Sequence, residues 1–296
     1  MRILVTGSNG LLGQKLTDRL QNDASVWLIA TAKSDSVLDI QRGEFHRLDI
    51  TDRNAVNDVV ERTKPDVIIN TAAMTQVDHC ELDHETCWRN NVTSVENLVS
   101  ACGSHHIHLV HVSTDFIFDG TQELLDENAI PRPVNFYGES KLAAENLIIN
   151  SKISWSIART VLVFGVTRDM SRSNIVLWVK NSLEQGKNIQ VVNDQWRTPT
   201  LAEDLAAGCH LAAQHKAQGI FNISGKDYMS IYEIALRTAN FFHLDKSLMK
   251  ETDSTKFTQP AKRPMKTGFI INKAKTILGY EPHSFEEGLA IVASQL

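Results

Sequence analysis

Through the first half of the chain, short runs of β-branched and aliphatic residues alternate with longer segments whose apolar positions recur at helical spacing. Tight apolar runs of this kind read as buried strands, and the longer periodic segments as amphipathic helices. The pattern predicts strands over residues 3–5, 26–31, 45–48, 67–70, 109–112 and 156–159. Between them it predicts helices over 11–21, 55–63, 84–103 and 137–149. Strand and helix in alternation is the order of βαβ units feeding a parallel sheet, and right-handed crossovers then put ligands along the carboxyl ends of the strands. The expected fold class is α/β, a doubly wound parallel sheet with a smaller C-terminal lobe. Beyond about Gly165 the alternation loosens, with helices predicted over 175–184, 200–214 and 231–242. Strand-like pieces at 189–192 and 219–222 are placed to return to the main sheet. Residues 1–165 therefore form one expected domain and 166–296 mainly a second lobe, with segments rejoining the first.

Composition narrows what such a fold binds. A chain of 296 residues, 42% hydrophobic, is long enough to bury a large core. A formal charge of −5 supplies no basic field, which argues against a nucleic acid or an anionic membrane as partner and for a small molecule. No apolar stretch approaches the roughly 20 residues that span a bilayer. Met1 and Arg2 run straight into Ile3-Leu4-Val5 without the features of a secretion signal. Cys80, Cys87, Cys102 and Cys209 form no C-x-x-C pair, as expected of reduced thiols in the cytoplasm.

Directly after the first predicted strand stands Thr6-Gly7-Ser8-Asn9-Gly10-Leu11-Leu12-Gly13, with glycines three apart, opening a predicted helix. Glycine lets the backbone turn sharply and approach a pyrophosphate, while a helix N-terminus offers unpaired N–H groups and positive potential. A glycine triplet also occurs in ordinary turns. The order strand, turn, helix is what points to a dinucleotide site of Rossmann type. Cofactor contacts are expected from Gly7, Asn9, Gly10, Leu11, Leu12 and Gly13. After the second strand, Ala30-Thr31-Ala32-Lys33-Ser34 stands where NAD-binding chains usually carry an acid for the ribose 2′-hydroxyl. A cation at Lys33, with Ser34 beside it, favours the 2′-phosphate of NADPH; NADH is the alternative if Asp35 serves the ribose. Asp49 and Ile50 after the third strand, and Ala72 and Ala73 after the fourth, extend the cofactor wall.

Phe136-Tyr137-Gly138-Glu139-Ser140-Lys141 opens a predicted helix, and the spacing of four puts the phenol of Tyr137 and the ammonium of Lys141 on one face. A free phenol ionises near pH ~10, and a nearby lysine is expected to lower this by favouring phenolate. Such a pair is equally at home on a plain helix surface; the nucleotide turn upstream favours the chemical reading. The fifth strand runs into Val112-Ser113-Thr114-Asp115, bringing hydroxyls to the same sheet edge. Neighbouring strand residues face opposite ways, so the residues alone leave open whether Ser113 or Thr114 meets the tyrosine.

Gly7, Gly10, Gly13, Ser113-Thr114-Asp115, Tyr137 and Lys141 together resemble the extended short-chain dehydrogenases, and within them the dTDP-4-dehydrorhamnose reductase family. The similarity covers nearly the whole chain: Asn70-Thr71-Ala72-Ala73 with Val77-Asp78, residues 112–120 and 135–145, and Asp194-Gln195 with Thr198-Pro199-Thr200. The resemblance implies Thr114, Tyr137 and Lys141 as the catalytic set, the last two also touching the cofactor. It implies Thr75, Val77, Asp115, Asn174 and Arg197 as sugar-nucleotide contacts. The activity it implies is NADPH-dependent reduction of the C4 ketone of a nucleotide-linked 4-keto-6-deoxy sugar, in a fold that often forms homodimers. Two departures bear on the sugar. Where the family carries a Thr-Ser-Trp-Val-Tyr type run, this chain has Thr160-Val161-Leu162-Val163-Phe164, and Trp196 and Arg197 replace smaller residues. The same machinery would serve another sugar-nucleotide reductase or an epimerase. Phe221-Asn222-Ile223-Ser224-Gly225 and Arg263-Pro264 also resemble the regulatory beta subunit of methionine adenosyltransferase, a nucleotide-binding protein of another class.

His79, Cys80, His84 and Cys87 have metal-ligand chemistry, but three ligands on one rigid helix make poor tetrahedral geometry. His108 and His111 would face opposite sides of a strand, so no metal is expected. Trp27, Trp88, Trp155 and Trp178 stand in apolar stretches and are expected to be packing residues rather than ligand platforms.

Overall fold

The computed structural model describes residues 1–168 and 173–296. Among these, seven strands build the central sheet: β1 (Arg2–Thr6), β2 (Trp27–Ala32), β3 (Gly43–Arg47), β4 (Val67–Asn70), β5 (His108–Thr114), β6 (Trp155–Thr160) and β7 (Gly219–Asn222). All their pairings are parallel, in the order β7-β6-β5-β4-β1-β2-β3. The order reverses at β1, which pairs with β2 on one side and β4 on the other. A crevice therefore opens beyond the carboxyl ends of these strands. The helices are α1 (Leu11–Gln21), α2 (Arg53–Thr63), α3 (Val77–Leu82), α4 (His84–Trp88), α5 (Ser94–His105), α6 (Phe136–Ile149), α7 (Ile175–Glu184), α8 (Ala202–His215), α9 (Ile231–Phe241), α10 (Asn272–Leu278) and α11 (Phe285–Ala293). None of the described helices is long and apolar enough to cross a membrane.

Strand side chains alternate between faces, and the core divides accordingly. Ile3, Val5, Leu28 and Ile69 pack with Leu16 and Leu20 of α1 and with Leu205 and Cys209 of α8. Leu4, Ile29, Ile68, Leu109 and Ile157 pack on the other face with residues of α2, α5 and α6. Beyond β6, α7 and α9 pack together over Val179, Leu183, Ala235 and Ala239. Of the two strand-like pieces in this part of the chain, Gly219–Asn222 joins the central sheet beside β6, whereas Ile189–Val192 does not. The latter pairs with Met249–Thr252.

Two expectations are corrected. The segment expected as one helix over 84–103 is interrupted by a π turn at Arg89–Thr93, and a separate short helix, α3, precedes it. The tryptophans are not all interior: Trp27, Trp88 and Trp178 keep 42%, 44% and 38% of their surface exposed. An indole is too large for these edge positions to enclose, and only Trp155 packs against the main core as expected.

One buried ion pair fixes α6 against the sheet. Glu145 of α6 accepts from Arg159 of β6 through Nε at 3.0 Å and Nη2 at 2.7 Å, and both side chains are buried. Removing one partner of such a pair strands the other charge in the interior, a loss of about 3–5 kcal/mol. Glu145→Ala is therefore expected to lower the urea unfolding free energy by that order; a change below about 1 kcal/mol would show that the pair does not anchor the helix.

Candidate active site

The glycine turn lies between β1 and α1. Gly7 has φ +68°, and a Cβ there would press on the Ala72 backbone at 3.0 Å. A Cβ on Gly13 would stand 2.2 Å from the Gly7 carbonyl oxygen, so only glycine lets the helix start this close beneath the turn. Gly10 caps α1 without any side-chain hydrogen bond, which leaves the helix N-terminus to a ligand. The residues present thus fit a dinucleotide pyrophosphate. Leu11 and Leu12 begin α1, and Asn9 ties the turn to the next loop by donating to Ser34 Oγ at 3.1 Å and to the Asp35 carbonyl at 2.8 Å.

At the end of β2, Lys33 lies 3.1 Å from a carboxylate oxygen of Asp49, which also accepts from Thr51. Asp35, the alternative ribose ligand, is held instead by Arg47 of β3 through Nε and Nη2. Arg47 pairs in register with Ala32, next to Lys33. Two cations therefore stand together at the end of β2, each paired with a carboxylate, and only Lys33 was expected from the sequence. Ile50 is buried behind Asp49, and Ala72 and Ala73 line the loop after β4 at the foot of the glycine turn.

Tyr137 and Lys141 both project inward from α6 and are 7% and 2% exposed. Asn135 caps the helix by accepting from the Gly138 N–H at 2.8 Å. A Cβ on Gly138 would lie 2.1 Å from the Phe116 carbonyl oxygen, so this glycine lets α6 dock on the turn at Asp115–Ile117. Burial pushes the Tyr137 phenol well above its ordinary range, against a hydrogen bond with Thr114 that favours phenolate. Lys141 Nζ donates to the Val112 carbonyl at 2.8 Å and lies 3.2 Å from His111 Nε2. The expected lowering of the phenol by Lys141 is thus corrected: the ammonium is committed to β5, and the phenol keeps its proton. Burial lowers Lys141 from 10.5 to about 8. Of the adjacent hydroxyls, Thr114 Oγ1 donates to Asp115 and accepts from Phe116 N, whereas Ser113 Oγ is buried without a hydrogen-bond partner.

The π turn carries a residue that the periodicity concealed. Asn91 points inward, accepts from Met74 N at 2.8 Å and donates to Met74 O and to Ser140 Oγ, each at 3.0 Å. It joins the loop after β4 to α6. Turns of this type recur at functional sites, where the extra residue re-aims a side chain.

The five residues assigned to the substrate have different fates. Val77 opens α3 and packs with Phe116 and Phe136 around Tyr137, and Thr75 is exposed just before it. Asn174 caps α7, with Oδ1 accepting from Leu177 N and Nδ2 donating to the Gly165 carbonyl. Asp115 accepts from Thr114 and Thr267 and lies 3.5 Å from Arg197. Arg197 donates to the carbonyls of Trp196, Pro264 and Met265 and is 3% exposed. Asp115 and Arg197 are internal braces here rather than free contacts. Arg263 forms a bidentate pair with Asp78 at 2.8 Å and borders a cleft of about 280 Å³ shared with Trp178, Gln195 and Phe257.

The whole chain, residues 1–296, matches the family model described as RmlD substrate binding domain. It is similar to a crystal structure of a dTDP-4-dehydrorhamnose reductase from Clostridium acetobutylicum, with 30% identity, a TM-score of 0.89, and coverage of 100% of this chain and 99% of that one. It is also similar to the dTDP-4-dehydrorhamnose reductase of Bacillus anthracis in complex with NADP, at 26% identity and a TM-score of 0.85, covering 100% and 99%. Methionine adenosyltransferase 2 subunit beta from Xenopus laevis is 30% identical over 84% of this chain and 74% of that protein.

The buried lysine makes stability depend on pH. From pH 10.5 down to about 8 the unfolded chain holds this proton and the folded one does not, so stability rises with pH across that window and is reduced below it. Lys141→Met is expected to be inactive yet more stable than the parent at pH 7, by about 2 kcal/mol after its lost hydrogen bonds are counted. Denaturant midpoints should converge as the pH approaches 10.5; a variant less stable at pH 7 would contradict this.

Proposed function

The chain belongs to the RmlD substrate binding domain family and is an NAD(P)-dependent oxidoreductase of the extended short-chain dehydrogenase type, and from that premise we propose that it uses NADPH to reduce the C4 ketone of a nucleotide-linked 4-keto-6-deoxy sugar. The foremost candidate is dTDP-4-dehydrorhamnose, with dTDP-rhamnose as product. The observation that carries the reading is the enclosure of Thr114, Tyr137 and Lys141 at the carboxyl end of β5, beside the switch point of the sheet.

Residues 1–165 would hold the dinucleotide, and 166–296 would mainly wall the sugar nucleotide. Gly7, Asn9, Gly10, Leu11, Leu12 and Gly13 receive the pyrophosphate; Ala72, Ala73, Asp49 and Ile50 border the adenosine. Lys33, Ser34 and Arg47 would receive the 2′-phosphate, each cation now balanced by a carboxylate that the phosphate would replace. Bound there, NADPH would supply the hydride. Tyr137 holds its proton on Oη because burial disfavours phenolate, and it would pass that proton to the sugar O4 as negative charge develops. Thr114 Oγ would hold the same oxygen, and Lys141 would anchor the nicotinamide ribose. Thr75 and Val77 lie on the Tyr137 side of the crevice. Trp178, Phe257 and Arg263 suit a nucleoside diphosphate, aromatic faces for the base and a guanidinium for the phosphates. They would stand in for the aromatic run missing at 160–164. The four buried free thiols support the cytoplasm as the place of reaction.

The Xenopus relative favours a second reading, a regulatory subunit that binds the dinucleotide without turning it over. NADPH absorbance followed with dTDP-4-dehydrorhamnose separates the two. The parent protein should oxidise NADPH, and Tyr137→Phe should lose about a hundred- to ten-thousandfold of turnover while still binding the cofactor. Tight NADPH binding without oxidation would favour the regulatory reading. Lys33→Ala and Arg47→Ala should each raise KM for NADPH about tenfold and leave that for NADH nearly unchanged; equal effects on both would remove the 2′-phosphate assignment.

A further inference from the structure

We infer that His111 is a positioning residue for the reaction, its Nε2 holding the Lys141 Nζ while the orientation of the Asn70 amide sets the imidazole tautomer and with it the charge of the lysine. The inference rests on the reductase reading for its kinetic consequence alone.

His111 lies on β5, in register with Asn70 of β4, and is 1% exposed. Its Nε2 is 3.2 Å from Lys141 Nζ and its Nδ1 is 3.0 Å from Asn70 Nδ2. Asn70 Oδ1 in turn accepts from Thr6 Oγ1 at 2.6 Å. Thr6 is the last residue of β1, at the root of the glycine turn. A single file of polar groups thus crosses three neighbouring strands and ends on the lysine. It involves none of the metal chemistry that the histidines suggested.

The donor count makes the file directional. An ammonium has three donors and no acceptor, and a neutral imidazole has one of each. A charged Lys141 therefore needs a lone pair on His111 Nε2, which puts the ring proton on Nδ1. Asn70 must then present its oxygen to Nδ1 and its amino group to Thr6 Oγ1. That is the reverse of the amide as it stands, where Asn70 Nδ2 faces Nδ1 and Oδ1 accepts from Thr6; in the standing orientation Nε2–H donates to Nζ and Lys141 is the neutral amine. The two proton arrangements differ in the charge of Lys141, and the turned amide also moves the Thr6 hydroxyl, which accepts from Ala72 N, off its Asn70 acceptor. Amide and tautomer are assigned from such networks as a whole.

The groups facing Lys141 from each packed element leave His111 as its side-chain partner. Glu145, one turn along α6, is bonded to Arg159 of β6. Cys87 of α4 donates to Ser140 Oγ. Tyr137 meets Thr114. From β5 the Val112 carbonyl and His111 Nε2 reach Nζ. Burial, reinforced by the lysine charge, keeps His111 well below its ordinary ionisation range, so the ring stays neutral and does not compete for the charge. Without His111, Nζ would keep one fixed acceptor, and the ammonium would be both less stable and free to swing.

The test compares His111→Leu, which has no lone pair, with His111→Gln, whose amide oxygen can face Nζ. The primary readout needs no substrate: the ¹³Cε resonance of Lys141 in lysine-labelled protein, identified by its loss in Lys141→Arg and titrated from neutral to alkaline pH. His111→Leu should lower the Lys141 midpoint by about one pH unit, cut kcat about ten- to a hundredfold, and leave the affinity for NADPH within about threefold. His111→Gln should restore both midpoint and kcat to within about threefold of the parent. If leucine is not tolerated in the sheet, His111→Met carries the same expectation. A Lys141 midpoint that does not move in the leucine or methionine variant, or one that glutamine fails to restore, overturns the inference. A shifted midpoint in a protein inert toward the 4-keto sugar upholds the positioning and removes only the reductase reading.

Discussion

The ammonium of Lys141 lies inside the protein with 2% of its surface exposed, and the surrounding architecture is what makes that tolerable. A buried charge persists only where fixed lone pairs replace water. Here the Val112 carbonyl of β5 supplies one, and His111 Nε2 of the same strand lies 3.2 Å from Nζ. To bring Nζ to them, α6 must lie tightly against the sheet, and several otherwise unrelated residues serve that approach. Gly138 admits the Phe116 carbonyl, Asn135 caps the helix and reaches the Lys262 carbonyl, and Glu145 engages Arg159. Asn91 braces the same helix through Ser140.

Enclosure also sets the proton inventory. Burial raises a phenol and lowers an ammonium, because each loses its hydration most in the charged form. Tyr137 is therefore a phenol that keeps its proton and Lys141 an ammonium that gives its proton up more readily than usual, in the same small volume. Only 2.8 Å separates Nζ from a strand carbonyl, so the lysine is oriented by the backbone as well as by a side chain.

The segment 261–267 closes the other side. It is held at Asn135 through the Lys262 carbonyl, at Arg197 through the Pro264 and Met265 carbonyls, and at Asp115 through Thr267. Asp115 and Arg197 resemble ligand-binding groups in the sequence and in the structure hold this strap in place. Arg263, on the same strap, is left at the cleft with Trp178 and Phe257. The division is one of burial: the Arg197 guanidinium, 3% exposed, is saturated by carbonyls, whereas that of Arg263 is paired with Asp78 at the cleft edge.

The sequence by itself determined the features that depend on short-range geometry. Glycines three apart after a strand dictate a turn with room for phosphate, a spacing of four dictates a shared helix face, and apolar alternation dictates the order of strands in the sheet-forming half. The glycine turn and the shared helix face of Tyr137 and Lys141 were legible for that reason, whereas strand alternation left Ser113 and Thr114 undivided. The tertiary structure alone decided which charges are paired, since Arg47 with Asp35, Arg263 with Asp78 and Arg197 with Asp115 join residues 12, 185 and 82 positions apart. It alone re-aimed Asn91 through a π turn inside an apparently regular helical period. It alone put His111 between Asn70 and Lys141, because register between parallel strands is set by packing across the sheet and leaves no mark on either strand's own sequence.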